Sequence, residues 1–284
     1  MLSGEGCAVD YLLVLRLPLL VLGVLASFSL AFYVGKPIGE VLLIVGAIGF
    51  ANTGWNLYNE LVDVETDKKQ KPYKPIPSGT VDVLKLWVLF TFLMLLSVLS
   101  LIGLYSYHQN YLIIGILTII VPYFYNDNTI VGRGIGGNIA LGITYGLAGY
   151  LAMYPYHIIF PLGFMLFTIS FNILVQAQDI EGDEEAGVVT VPQQIGIGWT
   201  GILSIVMAVL SLMIFYELPG YFIVFGFASM MVVLTGLVYL FVSLGRGDMY
   251  SMIRANTLTQ WFLRRFARIF LLLGFIILIF VRLL

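Results

Sequence analysis

Two short runs of amides and carboxylates are where this sequence has the means to do chemistry. In the first, Asn56, Asn59, Asp63 and Asp67 recur at spacings of three and four, which in a helix lays them along one face. In the second, Asn172, Gln176, Asp179 and Asp183 follow at spacings of four, three and four. Glu181, Glu184 and Glu185 crowd the second run, and no Lys or Arg occurs between Arg133 and Arg246. Carboxylates four residues apart on a helix repel one another, so each run costs stability until a cation neutralises it. Oxygen donors without His or Cys beside them suit magnesium or calcium rather than zinc. The spacing is not that of an EF-hand loop. A single run of this kind could be a solvated helix end; two of the same amide-then-carboxylate design ask for a bound ion.

A basic, proline-stiffened loop follows the first run. Lys68, Lys69, Lys71 and Lys74 are set among Pro72, Pro75 and Pro77 before Ser78 and Gly79, and the prolines stop the helix from continuing. Lysines held just beyond metal-binding aspartates suit a diphosphate, whose charge the metal and the ammonium groups would share. Their bare alternative is to mark the cytoplasmic side of a membrane. Arg16, followed closely by Pro18, has two readings as well. It faces a polar cavity, or it snorkels to the interface. Arg133 divides the same way.

The elements that must position these groups are membrane helices. Of the 284 residues, 60% are apolar and only 11% charged, where about 25% charged is usual for a soluble domain. That balance excludes a water-soluble globule, a disordered chain and a collagen-like fibre. Runs long enough to cross a bilayer lie near 11–33, 36–58, 82–104, 111–126, 136–153, 157–177, 199–216, 220–243 and 262–284. The fourth and fifth are the weakest, because Gly132, Gly134, Gly136 and Gly137 crowd their junction. Those glycines read as a tight turn or close helix packing, not a nucleotide loop. The first run lacks the basic start and the cleavage site of a signal peptide.

With nine spans, all but Lys36 and Arg282 of the 14 basic residues share a side with the N-terminus, which the positive-inside rule makes cytoplasmic. All but Glu40 and Glu217 of the 16 acidic residues fall there too, so the chemistry is expected at the cytoplasmic face. His108 and His157 fall on the other. A formal net charge of −2 leaves no basic excess for a nucleic-acid partner. Cys7, the single cysteine, rules out an internal disulfide.

Asn59-x-x-x-Asp63-x-x-x-Asp67, the Lys74-to-Gly79 stretch Lys-Pro-Ile-Pro-Ser-Gly, and Asp179-Ile-Glu-Gly-Asp183 together resemble the UbiA superfamily of intramembrane prenyltransferases. The likeness runs over essentially the whole chain, and Arg16 with Pro18 matches the family's first-span pattern. It implies one all-α membrane domain over 1–284, with nine helices in a horseshoe around a central cavity capped by two Asp-rich loops. It further implies Mg2+ held by Asn59, Asp63 and Asp67 on one side and by Asp179 and Asp183 on the other. Arg16, Lys71 and Lys74 would then hold the oxygens of a polyprenyl diphosphate. Lys71 to Gly79 and Gly134 to Tyr145 most resemble chlorophyll-synthase-type members. Where Lys74 stands the family usually has Arg, and its pattern after the fourth span is blurred here into Tyr123 to Asn126. Tyr125 is assigned to the diphosphate on that wall, with Tyr123 and Arg133 as the alternatives.

The resemblance therefore implies magnesium-dependent transfer of a polyprenyl group to a lipophilic, aromatic acceptor inside the cell membrane. The nearest alternative is a digeranylgeranylglyceryl phosphate synthase, which prenylates a glycerol ether phosphate. Arg254, Arg264, Arg265 and Arg268 could supply such an acceptor with basic groups, or merely mark topology. A secondary transporter is the non-enzyme reading, but its polar sites belong near the bilayer midplane rather than at helix ends.

Overall fold

The computed structural model describes residues 8–126, 132–156, 159–178, 180–185, 187–216, 219–245 and 255–283. Asp179, His157, Glu217, Arg246 and Arg254 lie outside them. Among the described residues all the regular structure is helix, and the apolar runs coincide with it, the first with two helices and the last with a π-helical segment and the helix that follows it. The order is α1 (Ala8–Val14), α2 (Leu17–Tyr33), α3 (Ile38–Val62), α4 (Val64–Gln70), α5 (Val83–Tyr105), α6 (Asn110–Asn126) and α7 (Ile135–Met153). Then come α8 (Phe160–Gln176), α9 (Ile180–Glu185), α10 (Val191–Ile195), α11 (Ile197–Tyr216) and α12 (Pro219–Leu244). A short α13 (255–259) leads through a π-helical segment, Gln260–Ala267, into α14 (Arg268–Leu283).

Among the described residues, five stretches are long and apolar enough to cross a membrane: Ile38–Val62, Val83–Tyr105, Ile197–Tyr216, Phe225–Leu244 and Ala255–Leu283. The helices α2, α6 and α8 have 17 residues each, the short limit for spanning a hydrocarbon core of about 30 Å. On α5, Val88, Phe92, Leu95, Leu99 and Ile102 are each more than half exposed and follow the spacing of one helix face. A soluble helix would put polar groups there; here the face suits lipid, and the chain is an integral membrane protein.

Long helices that are neighbours in sequence pack as neighbours in space, from α2 through α3, α5, α6, α7, α8, α11 and α12 to α14. Finally α14 packs back on α2, closing the order into a ring. Small residues permit the tightest approaches. A Cβ on Gly201 of α11 would come within 2.7 Å of the Gly236 carbonyl on α12, so only glycine allows those backbones to meet. Aromatic rings fill the interior behind them: Phe215 stacks on Phe225 at 4.5 Å, and Phe225 meets Phe275 edge-on at 5.8 Å.

Two expected continuous helices are broken, and both breaks fall at charged residues. The first run divides at Arg16, whose φ of 48° puts a non-glycine residue in the left-handed region. That conformation costs about 1–2 kcal/mol. Pro18, which has no N–H to donate, starts α2 directly afterwards. Arg16 therefore caps a helix instead of lying within one. The second run stops at Val62, turns through Asp63 at φ −82° and ψ 0°, and resumes as α4. The expected single stripe from Asn56 to Asp67 is thus bent at Asp63. Asn56 drops out of it, donating its Nδ2 to the Asn52 carbonyl at 2.9 Å.

At the opposite end of the bundle, Lys36 is buried rather than an exposed topology marker. Its Nζ donates to Glu40 Oε1 and to the Tyr154 carbonyl, both at 2.6 Å, and also to the hydroxyl of Tyr111. A buried ion pair so completely bonded is structural.

Candidate active site

The first polar cluster is built outward from Glu60, on the last turn of α3. Glu60 is buried, and a carboxylate there persists only if paired. Arg16 supplies one partner, donating Nε to Oε1 at 2.9 Å, with a second guanidinium nitrogen on the same oxygen. Lys74 supplies the other, donating Nζ to Oε2 at 3.1 Å and to Asp67 Oδ2 at 2.6 Å. Charges thus alternate from Arg16 through Glu60 and Lys74 to Asp67. Burial works against the Lys74 ammonium, but its bonds to Asp67 and Glu60 outweigh burial and raise its pKa above the ordinary 10.5. Its contribution to stability is therefore complete below about pH 10.5 and fades only as pH climbs through the raised value.

Lys74 is held still by its own loop. Between Pro75 and Pro77, Ile76 is buried with Val14, Leu57, Leu61, Val81 and Leu86. The turn closes on itself where Ser78 N donates to the Lys74 carbonyl at 3.0 Å and Thr80 N donates to the Pro75 carbonyl at 3.1 Å. Gly79, at φ 76°, makes the left-handed step. Asp82 then caps α5, accepting from Leu84 N at 2.8 Å. Lys71 makes no side-chain hydrogen bond among the described residues.

The second cluster is organised by Arg133. Its Nη2 donates to Asp63 Oδ2 at 2.6 Å and to Asn59 Oδ1 at 3.3 Å. Its carbonyl accepts from Gln176 Nε2 at 3.0 Å and from Asn138 Nδ2 at 2.9 Å. Asn172 donates Nδ2 to Asn138 Oδ1 at 2.7 Å and to the Tyr125 hydroxyl at 3.3 Å. One residue therefore links the end of α3 to the end of α8. Glycine makes the link possible: a Cβ on Gly137 would lie 1.7 Å from the Gly132 carbonyl oxygen, so only glycine lets this turn fold onto α7. Burial opposes charge on Arg133, yet Asp63, with Tyr125 and Asp183 behind it, prevails and holds its pKa above the ordinary value.

The structure thus brings Asn59, Asp63, Tyr125, Arg133 and Asp183 to one place and Arg16, Lys74 and Asp67 to its flank. Tyr123 is 39% exposed and packs against Tyr58 and Phe124 instead. The expectation that the carboxylates lack protein cations is corrected, since Arg133 and Lys74 meet them from distant sequence. Among the described residues no three His, Cys, Asp or Glu side chains converge as a ready metal cluster, because the bend at Asp63 sends Asp63 to Arg133 and Asp67 to Lys74. The donor chemistry still fits a hard cation. All the donors are oxygens, and a guanidinium already sits on Asp63 where positive charge is needed.

Glu60, which organises this cluster, is the residue the sequence did not single out. Its signal was its place three residues before Asp63 on a membrane-helix end, where an unpaired acid is not tolerated. We expect Glu60→Gln to lower stability by about 2–3 kcal/mol, since it leaves two cations sharing no carboxylate between them. Thermal unfolding in detergent measures this, and an unchanged midpoint would show the pairing to be worth nothing.

A family model for the UbiA prenyltransferase family matches residues 20–252. The chain belongs to that family. Among relatives of this UbiA protein, the digeranylgeranylglyceryl phosphate synthase of Saccharolobus solfataricus is 30% identical over 201 residues, covering 68% of this chain and 70% of that one. The synthase of the same name from Sulfurisphaera tokodaii is 25% identical over 181 residues, which span 60% of this chain and 63% of the relative. A solved UbiA homolog from Archaeoglobus fulgidus, bound to DMAPP and Mg2+, superposes with a TM-score of 0.66 at 15% identity. It covers 96% of this chain and 99% of its own, and so shares the fold.

Proposed function

We propose that this UbiA protein transfers a geranylgeranyl group from its diphosphate to the free hydroxyl of a geranylgeranylglyceryl phosphate, at the cytoplasmic face of a nine-span bundle. The observation that carries the reading is Arg133, held between the carboxylate end of α3 and the amide end of α8. The carboxylate of one polar helix end and the amide of the other meet at this one cationic residue, where a metal-bound diphosphate would need charge to gather. The names of the matched relatives favour the phosphorylated glyceryl acceptor over the aromatic one.

In this mechanism Asn59, Asp63 and Asp67 of the first motif, with Asp179 and Asp183 of the second, would hold Mg2+, which would supply charge neutralisation at the diphosphate and draw electrons from the scissile C–O bond. The protein's cations do the rest of the binding. Arg133, Lys74 and Arg16, now on carboxylates, turn to phosphate oxygens with Lys71 beside them, and the Tyr125 hydroxyl donates to the same anion. The allylic C–O bond breaks with its electron pair leaving on diphosphate. The acceptor hydroxyl oxygen forms the new ether bond, and its proton leaves with the diphosphate. The surrounding apolar helices keep water from the allylic cation.

Incubation with geranylgeranyl diphosphate, geranylgeranylglyceryl phosphate, 4-hydroxybenzoate and Mg2+, with product masses read out, tests the reading. The doubly alkylated glyceryl phosphate is the expected product; prenylated 4-hydroxybenzoate alone would overturn the assignment. We also expect Lys74→Gln to weaken diphosphate binding by about 1–3 kcal/mol, the worth of a charge-assisted hydrogen bond, while Lys74→Arg keeps most of it. The control is exposed Lys85, whose change to Gln should leave affinity untouched. Lys36, buried and fully bonded, would not serve. Wild-type affinity in Lys74→Gln would remove the loop from the site.

A further inference from the structure

The short helix α10 is five residues long, and its two faces have different neighbours. Its apolar face is seated on α8: Val191 is buried with Ile169 and Ile173, and Ile195 packs beside them. Val191 N also donates to Gln176 Oε1 at 3.4 Å, on the same amide whose Nε2 holds the Arg133 carbonyl. Two adjacent glutamines, Gln193 and Gln194, make the outward contacts of α10, and they reach different segments.

Gln193 reaches α9. Its Nε2 donates to the Ile180 carbonyl at 3.3 Å, while its Oε1 accepts from Thr190 N at 2.9 Å. Ile180 opens α9, the helix that carries Asp183. Gln194 reaches the turn before α7. Its Oε1 accepts from Ile135 N at 3.0 Å, one of the donors that a helix start leaves unmet. Gly134 leaves room for the amide, because a Cβ there would come within 2.7 Å of Gln194 Nε2. Arg133 stands two residues before Ile135. One short helix therefore bonds both the segment that bears Asp183 and the turn that bears Arg133.

We infer that Gln193 and Gln194 are positioning residues for prenyl transfer, fixing the Asp183 segment and the Arg133 turn at a set separation on the common support of α8. This rests on the proposal that Asp183 holds Mg2+ and Arg133 the diphosphate. Both outward bonds end on backbone atoms, the Ile180 carbonyl and the Ile135 amide, so each glutamine places a whole segment. Gln193 then serves the metal, and Gln194 serves the anion. Magnesium demands near-ideal octahedral geometry at about 2.0–2.1 Å, and a misplacement of about 1 Å is felt strongly at a reacting centre. A small drift of either segment would therefore weaken binding long before it unfolds the bundle.

The test titrates geranylgeranyl diphosphate binding against Mg2+ by calorimetry in the full-length protein, in Q193M and in Q194M. Methionine keeps the length of the side chain and removes its hydrogen bonds. Q193M should raise the Mg2+ concentration for half-maximal binding about 3- to 10-fold, the usual net worth of a hydrogen bond. Its diphosphate affinity at saturating Mg2+ should stay near wild type. Q194M should do the reverse, losing about 3- to 10-fold in diphosphate affinity at saturating Mg2+ with its Mg2+ requirement unchanged. In the metal-free protein, hydrogen exchange should quicken at the amides of α9 in Q193M and at the start of α7 in Q194M. Both variants should melt close to wild type.

A residue that acts through another leaves a further signature. In a D183N background Q193M should add no further rise in Mg2+ requirement, and in an R133M background Q194M should add no further loss of diphosphate affinity. Additive effects in both pairs, or lowered melting with both binding constants unchanged, would make the glutamines merely structural and overturn the inference. If Q193M is not recovered folded, the Q194M pair decides alone. Wild-type binding that depends on Mg2+, together with unaltered binding in both variants, would overturn the positioning role and leave the metal reading standing. Wild-type binding that ignores Mg2+ would overturn the metal reading itself.

Discussion

Chelation of divalent cations is expected to abolish binding of geranylgeranyl diphosphate, and added Mg2+ to restore it. The expectation follows from the state of the carboxylates. Asp63 is taken by Arg133 at 2.6 Å and Asp67 by Lys74 at 2.6 Å, so without metal the site's acids and bases neutralise one another. A diphosphate arriving alone would have to pull those cations away and leave buried carboxylates unpaired, at several kcal/mol each. With a divalent ion taking over the carboxylates, the same cations become available to the anion. Isothermal titration before and after chelator and then with Mg2+ measures the coupling. Binding of equal strength in both conditions would mean that protein cations alone hold the diphosphate, and the two-motif metal site would fall.

Much of this arrangement was legible from the residues. Hydrophobic run length placed the long apolar helices among the described residues within a few residues, because lipid demands a long apolar stretch and tolerates little else. The weakness of the fourth and fifth runs was physical as well. At its start α6 carries Asn110, it ends at Asn126 around an internal Pro122, and α7 is laced with glycine. The glycines before α7 read as a tight turn, and Gly137 folded against Gly132 is that turn.

What stayed hidden is long-range pairing. Periodicity reports which residues share a helix face, not which distant side chain will meet them. Arg133 is 70 residues from Asp63 in sequence, and nothing local ties the two together. The bends at Arg16 and Asp63 were hidden for a related reason. Both breaks fall where a tertiary ion pair holds the residue or its neighbour, and the left-handed Arg16 is stabilised by its bonds to Glu60, 44 residues away. The two lysines show the same limit from the other side. Lys36 and Lys74 differ in sequence only by their flanking residues, yet one is sealed in a structural network and the other bridges two acids beside the site.

Asp63→Ala is expected to remove nearly all turnover, and Asp183→Ala likewise, because each deletes an oxygen donor at the junction of the two motifs. Stability is where the structure changes the forecast. Repulsion along an isolated acidic stripe would make the metal-free variant as stable as wild type, or more so. The ion pair reverses that sign for Asp63: its loss leaves the largely buried Arg133 guanidinium with only the Asn59 amide to bond, on a backbone pinned by Gln176 and Asn138. Asp63→Ala should therefore cost about 2–3 kcal/mol in the metal-free protein. Replacing both partners, as Asp63→Ala with Arg133→Met, should return most of that loss, since a buried pair exchanged for apolar groups is often near neutral. The double variant should nevertheless stay inactive. Melting temperatures and single-turnover product yields for the two single variants and the double variant separate the roles. Recovery of activity along with stability would show that turnover needs neither Asp63 nor Arg133, whereas recovery of stability alone separates the structural cost of breaking the pair from its part in turnover.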